Sequence, residues 1–378
     1  MVKNNISSED KIKIEELREL VKDEITPYYD TDFNLLRWLQ GHDYKLDIIV
    51  PKLKNHLLFR KSHWDLDNVA AKPRDHPIHE HWPRGYTGAA GKTPNVIINI
   101  EQTGINDYWG LLHVYPLNEV LYARVHDLES MLKLVMEQEE TTQSQASIMY
   151  VMDLTGLKFD MRLTTLITGA LASISNFMAE HYVELIHSFV LVGAPSFMST
   201  IWSVAKPLLP KKTSNKVKIL NSSTWRQEIM ELADVKVLPS YWNTKEQPDV
   251  FKADVKLCIP FQEADYVTKS LVPVEKIEHV SVPAGKCKSF VIKGQKLNWK
   301  IDADGHFAYG VYATEDLIET NVQNMISVYP KFTKVPGPTW VPLTDEIDVK
   351  ISGQYHFWFS NEHAWLHVLK LKLLILTK

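Results

Sequence analysis

HYVELIHSFVLVGAPSFMSTIWSVAKPLLPKKTSNKVKIL, residues 181–220, sets an almost wholly apolar strand directly before a helix whose polar edge is thin. Phe197, Met198, Ile201, Trp202, Val204 and Ala205 cover most of that helix, while Ser199, Ser203 and Lys206 mark a narrow polar line at helical spacing. An ordinary α/β domain does not need so much apolar surface on one short helix. Such a helix suits the cover of a cavity or contact with a bilayer, so a lipid carrier is the first hypothesis and an enzyme the second.

Upstream, NVIINI (95–100), SIMYVMD (147–153), HSFVLVGAP (187–195) and KVKIL (216–220) are continuous apolar runs of the kind buried parallel strands require. Helices are predicted between them at 116–143 and 161–180. In the second, Leu163, Leu166, Ile167, Ala170, Leu171, Ile174, Phe177 and Met178 keep helical spacing. Alternating strand and helix implies a mostly parallel sheet with right-handed crossovers. Residues 9 to about 70 read as a helical cap, its third helix spanning Ile48 to Trp64 with Ile49, Leu53, His56, Leu57 and Arg60 on one face. Lys72 to Pro94 reads as a Pro-, Gly- and His-rich connection.

A boundary is expected over 243–256, where NTKEQPDVFKADVK is polar. Beyond it the period changes to two. KIEHVSV, CKSFVIKG, KLNWKID, FAYGVYA, QYHFWFSN and AWLHVLKLKLLILT read as strands of an all-β sandwich. In the last of them Leu369, Leu371, Leu373 and Ile375 share a face, with Lys370 and Lys372 on the other.

Composition narrows the function classes. The chain has 378 residues, 45% hydrophobic and 23% charged, with 42 basic against 46 acidic residues. Such a length suits two or three domains, and the absence of a basic field argues against nucleic-acid binding. The two cysteines, Cys258 and Cys287, make no disulfide framework, and the opening MVKNNISSEDKIKIEE has no charged-then-apolar leader. With Val2 in place of Gly and LILTK at the end, no lipid anchor is expected, and no apolar run reaches a membrane span. An intracellular, reduced setting follows as the expectation.

Catalytic and metal motifs are weak. GAAGKT (88–93) has Tyr86 where a phosphate loop needs Gly, Gly85 is one position early, and a strand follows in place of a helix. A plain turn is the better reading. His76, His79 and His81 crowd a segment broken by Pro77 and Pro83, which suits a solvated loop more than a metal site. Around Ser196 there is no nucleophile elbow, and Asp153 at a strand end is read as a helix cap before a ligand contact. Glu184 and Lys216 flank the apolar unit and would meet if the chain folds back through it.

The order of these residues resembles the Sec14-like lipid-binding proteins, in the subfamily that joins a CRAL-TRIO domain to a GOLD domain. The resemblance is carried by LLRWLQGHDYKLD (35–47), GYTGAAGKTPNVIINI (85–100), IMYVMDLTGL (148–157) and the quoted unit extended back to Ala179. EHVSVPAGKCKSFVIKG, LNWKIDADGHFAYGVY and YHFWFSNEHAWLHVLKLKLLI are similar to a GOLD sandwich. The implied fold is multidomain: an N-terminal helical region (1–72), an α/β lipid-binding domain (73–245) and an all-β GOLD sandwich (253–377).

The resemblance further implies an apolar pocket closed by a gate helix from Phe197 through Leu209, with Met198, Ile201, Trp202, Val204, Ala205 and Leu208 along it. Leu166, Ala170, Ile174 and Phe177 are the expected lining. Glu184, Thr213, Lys216 and His42 are the implied headgroup contacts. His42 and Asp43 stand where the phosphoinositide-handling members carry two cations, which favours a generic hydrophobic ligand over phosphatidylinositol. The expectation is a non-enzymatic lipid carrier without cofactor or metal. Its partners would be a phospholipid or other hydrophobic molecule, a transient membrane surface and a protein bound through the GOLD domain. It would be cytoplasmic, or peripheral at Golgi or other intracellular membranes. The alternative is a lipid-sensing scaffold in which the GOLD domain recruits the partner.

Overall fold

The computed structural model describes residues 6–267, 277–293, 296–348 and 351–377, with the side chains of Ala170 and Thr377 outside the described set. Helices α1 (Ser8–Leu20), α2 (Asp32–Gly41) and α3 (Leu46–Arg60) open the chain, followed by the short α4 (Leu66–Val69) and α5 (Ile78–His81). Their starts are chemically marked: the Ser7 hydroxyl accepts from the Asp10 amide and the Thr31 hydroxyl from the Asn34 amide. All five positions expected on the inner face of α3, His56 and Arg60 included, are buried.

Next come β1 (Tyr86–Ala89), β2 (Val96–Glu101), α6 (Tyr108–Val114), α7 (Leu117–Thr142) and β3 (Ser147–Asp153). GAAGKT begins as the last two residues of β1 and continues into the loop to antiparallel β2. Gly91 has φ +75° and Lys92 donates to the Met230 carbonyl, so the segment is a turn with no helix behind it. The predicted helix 161–180 is interrupted: α8 (Met161–Leu166) passes through a π turn (Ile167–Leu171) into α9 (Ala172–His181). A π turn adds a residue to the ladder, so it rotates the apolar stripe partway along the helix. β4 (Ile186–Val192), α10 (Met198–Ala205), a 3₁₀ turn (Lys206–Leu208), α11 (Lys211–Asn215), β5 (Val217–Ile219) and α12 (Trp225–Leu232) complete the unit.

These strands form one sheet in sequence order β1 to β5, with β2 to β5 parallel. Val96, Ile98, Ile100, Met149, Val151, Val190 and Val192 look to one face, where Trp225, Ile229, Trp242 and Phe251 cover them. The opposite face, with Ile97, Ile148, Tyr150, Phe189 and Leu191, lies against the helices. Two ion pairs fix the helical cap to α7. Arg60 holds Glu129 through two bonds of 2.9 and 3.0 Å, and Arg37 meets Glu139, with all four side chains almost fully buried. Tyr182 also donates to Glu129 at 3.0 Å. Such pairs persist in the interior because each remaining polar atom is largely matched.

The C-terminal unit is two antiparallel sheets. β10 (Ile326–Ser327), β9 (Phe307–Thr314), β13 (Gln354–Ser360) and β7 (Cys287–Ile292) make one, with β11 (Phe332–Val335) also on β9. β12 (Leu343–Asp348), β8 (Lys296–Ala303), β14 (Leu369–Thr377) and β6 (Glu278–Val282) make the other. Trp299 and Phe357 meet between the sheets with ring centres 5.3 Å apart. β10, β11 and β12 were not among the expected strands, because their segments lack a run of alternating apolar residues. Ala364–Val368, expected as strand, is loop: the Asn361 amide bonds the Val282 and His367 carbonyls and folds the chain back before β14 starts. The alternation of β14 is as expected from Leu369 to Leu373, with Leu369, Leu371 and Leu373 buried and Lys370 and Lys372 exposed, but beyond it Leu374 is buried and Ile375 only intermediate. The sandwich rests on the helices through Phe332, which packs on Trp64 and Phe177, and through Asn118, which bonds the Thr344 backbone.

Candidate functional site

The site begins at the end of β4. Gly193 has φ +61°, and a Cβ there would lie 2.3 Å from the Thr155 hydroxyl, so the close turn toward α10 requires glycine. Beside it Asp153 ends β3. Its carboxylate accepts from the Thr155 amide at 2.9 Å and the Trp242 indole N–H at 2.7 Å. The expected helix-capping role is therefore replaced by a tie between the strand end and Trp242.

α10 seats Met198 and Ile201 on Leu154, Leu191 and Ala194, with Leu157, Leu163, Ile167, Phe197, Trp202 and Val217 around them. Phe197 also meets Phe159 at 5.5 Å. Val204 and Leu208 turn outward and are 42% and 38% exposed, while Ala205 and Leu209 are intermediate. The polar line is real, with Ser199, Ser203 and Lys206 all exposed. Among the described residues, no side chain or backbone group of 197–209 makes a hydrogen bond or ion pair outside 195–209. Apolar contact alone holds this helix to the domain.

The expected lining residues divide. Leu166, Ile174 and Phe177 are buried, but Ile174 and Phe177 face a small hollow shared with Leu117, Leu121, Phe332 and Pro336, toward the sandwich. The Ala170 side chain lies outside the described residues. It is Leu163 and Ile167 that stand beneath α10. The cause is the π turn, which straight helical counting could not include.

The expected headgroup residues come together at the other end of the unit. Lys216 donates to Glu184 and to the Ile186 carbonyl, both at 2.7 Å. Glu184 sits at φ +52°, and Gly41 approaches so closely that a Cβ would lie 2.1 Å from Val183. This contact brings the α2 end, with His42 and Asp43, against the start of β4. Thr213 accepts the Lys216 amide with its carbonyl and makes no side-chain hydrogen bond among the described residues. His42 stacks on Trp38, and burial together with Lys52 and Lys212 lowers its pKa.

Two further cations belong to this cluster. Lys212 bonds Asp43 at 2.7 Å and the Gly41 carbonyl at 2.8 Å, and Lys52 lies 3.4 Å from the His42 ring. Asp43 is held below its ordinary pKa by Lys212. Where the sequence suggested lost cations, the fold delivers ammonium groups from α3 and α11. Lys212 was visible in KKTSNK, but nothing local links it to a residue 169 positions away. The crowded histidines do not lie in the solvated loop expected of them: His79 is buried on the short helix α5, His81 stacks on Phe261 and bonds the Ile259 carbonyl, and no group of three potential ligands occurs among the described residues. No helix among them is long and apolar enough to cross a membrane.

Three stretches of the chain match known domains. Residues 93–243 match the CRAL/TRIO domain, residues 6–69 match a domain of unknown function (DUF8435), and residues 266–378 match a domain described as F28H7_8_C:-like, C-terminal domain. The chain is 24% identical to the CRAL-TRIO domain-containing protein F28H7.8 of Caenorhabditis elegans, over 97% of this chain and 90% of that protein. It is 26% identical to the phosphatidylinositol/phosphatidylcholine transfer protein SFH14 of Arabidopsis thaliana, over 59% of this chain and 39% of that protein. The crystal structure of Sfh5 aligns with a TM-score of 0.47 at 15% identity, covering 58% of this chain and 82% of that one. The part of the α/β unit that carries the apolar helix and the Glu184–Lys216 pair lies within the stretch that matches the CRAL/TRIO domain.

Proposed function

We propose that this protein holds one hydrophobic ligand or phospholipid behind the helix 197–209 and exchanges it at membranes, without catalysing a reaction on it. The observation that carries the reading is the attachment of that helix. It rests on Met198 and Ile201, keeps Val204 and Leu208 exposed, and among the described residues has no polar tie beyond residue 195. Outward movement breaks no hydrogen bond to the rest of the domain, and the apolar face then released suits the acyl region of a bilayer. Glu184, Lys216, Thr213 and His42 form the headgroup end in this reading, with Lys52 and Lys212 as added cations. The division into 1–72, 73–245 and 253–377, with a GOLD-type last domain that recruits a protein partner, belongs to the same proposal.

Mass spectrometry of lipid co-purifying with the native chain tests the cargo. Vesicle assays test the lid. Trp202→Asp, at a partly buried position, is expected to cut vesicle binding and lipid transfer several-fold while far-UV circular dichroism is retained. A folded variant with undiminished transfer sinks the reading.

A sensing role has one observation in its favour. α9, continuous with the π turn beneath the lid, touches the sandwich through Phe177 on Phe332 and Glu180 on Thr333. Lipid-dependent change in partner affinity, with stoichiometric binding and no transfer, is the outcome that selects the sensor.

A further inference from the structure

The sheet face under the helices carries a cation that the headgroup cluster does not use. Arg124 of α7 is 4% exposed and lies over the rings of Trp82 and Tyr150, at 5.4 and 5.1 Å. Its only hydrogen bond among the described residues runs to the Met178 sulfur at 3.8 Å, and no carboxylate oxygen comes within ion-pair distance. Nearby polar groups are unmatched as well. The Tyr150 hydroxyl is fully occluded without a partner, and the Asn99 side chain, 3% exposed, makes no hydrogen bond among the described residues. A fully occluded phenol beside a guanidinium and an amide that lack protein acceptors makes a polar patch that an anionic group would complete.

Register places these groups in one row. Asn99 of β2 pairs with Tyr150 of β3, Tyr150 with Phe189 of β4, and Phe189 with Val217 of β5. The Tyr150 and Phe189 rings are 5.7 Å apart. Phe189 and Met152 each pack both on the core around Tyr150 and on the apolar cluster beneath α10. One face of the sheet therefore grades from polar and cationic at β2–β3 to apolar at β4–β5, where the lid sits.

We propose that Arg124, Tyr150 and Asn99 anchor the carboxylate of a single-chain fatty acid whose tail runs over Phe189 and Met152 to the lid. The inference rests on the reading of 197–209 as a lid, since its displacement makes room for the tail. A guanidinium presents a planar fork that matches a carboxylate in two bonds, and the Tyr150 hydroxyl supplies a third donor. One buried cation balances one charge, so a phosphate carrying two leaves an uncompensated charge in the interior. Glu101, on the same face and bonded by the Tyr108 hydroxyl, is raised above the usual carboxylate range by burial while the charge of Arg124 draws it back, and it stays beyond ion-pair distance of that guanidinium.

The test is equilibrium binding by the full chain of oleate, oleyl alcohol and lysophosphatidate. Oleate is expected to bind about tenfold or more tightly than oleyl alcohol, which has the same chain and no charge. Tyr150→Phe is expected to weaken oleate about threefold to tenfold, leave oleyl alcohol unchanged and keep the thermal midpoint. Arg124→Lys, which retains the charge and loses the fork, is expected to lower the oleate preference too. Equal affinity for oleate and its alcohol, or a Tyr150→Phe protein with an unchanged ratio, overturns the anchor while leaving a lipid-holding domain. Stronger binding of lysophosphatidate than oleate overturns the carboxylate assignment. Binding of none of the three overturns this inference, and the absence of any lipid co-purifying with the native chain overturns the lipid-holding reading beneath it.

Discussion

Glu184 and Glu129 show how the same pairing chemistry differs with burial. Lys216 and Glu184 are each about a quarter exposed, at 24% and 25%, so water screens much of their attraction. Glu184→Gln is expected to cost about 1 kcal/mol or less in urea unfolding. Glu129 is fully buried between Arg60 and Tyr182, and Glu129→Gln leaves a guanidinium with only Asp67 as its anion. A loss of about 3 kcal/mol or more is expected there, read as a shift of the urea midpoint. Equal costs for the two substitutions contradict this assignment. Histidines add a pH dependence. Burial lowers His181 to about 3, and His56, bonded to it ring to ring at 3.2 Å, is lowered too. Both then titrate in the unfolded chain before the folded one. Stability is full above about pH 6.5 and falls as pH drops toward 3, by up to about 1.4 kcal/mol per pH unit for each ring. His181→Asn is expected to flatten the fall of the urea midpoint across that window.

At the scale of elements, the approach of β4 to α10 depends on a backbone conformation. Gly193→Ala places a methyl at φ +61° and 2.3 Å from the Thr155 hydroxyl, so the β4–α10 turn must shift. A loss of about 1–3 kcal/mol is expected, together with faster amide exchange along α10 than along α7. Unchanged exchange in α10 argues that the turn does not position the lid. The composition of VGAPSFMSTIW indicated the apolar helix and its thin polar line, and both stand in the structure. The face of the preceding helix differs from the expectation because the apolar spacing of 163–178 fits an uninterrupted helix. The π turn at Ile167–Leu171 turns Ile174 and Phe177 toward the sandwich and leaves Leu163 and Ile167 under the lid.

Across the whole molecule, the contact between the C-terminal sandwich and the helices runs through a few aromatic side chains. Phe332 touches Trp64, Phe177, Tyr309 and Tyr329, and is 3% exposed. Phe332→Ala is expected to cost about 3–5 kcal/mol in the stability of that junction. Limited proteolysis is then expected to release the sandwich earlier than from the native chain, and an unchanged digestion pattern counts against the junction. In the sensing version of the proposal, the same variant also uncouples lipid binding from partner affinity.

The sequence by itself determined the type and order of most elements, because helical and strand periods are local and each apolar run reports its own neighbours. It also determined that 197–209 carries more apolar surface than a core helix requires. Tertiary structure decided which groups meet. Lys52 and Lys212 reach His42 and Asp43 from separate helices, and Arg124 of α7 comes over Tyr150 of β3. No periodicity encodes such meetings. They are set by how the helices pack on the sheet and on one another, and that is a consequence of the folded chain as a whole.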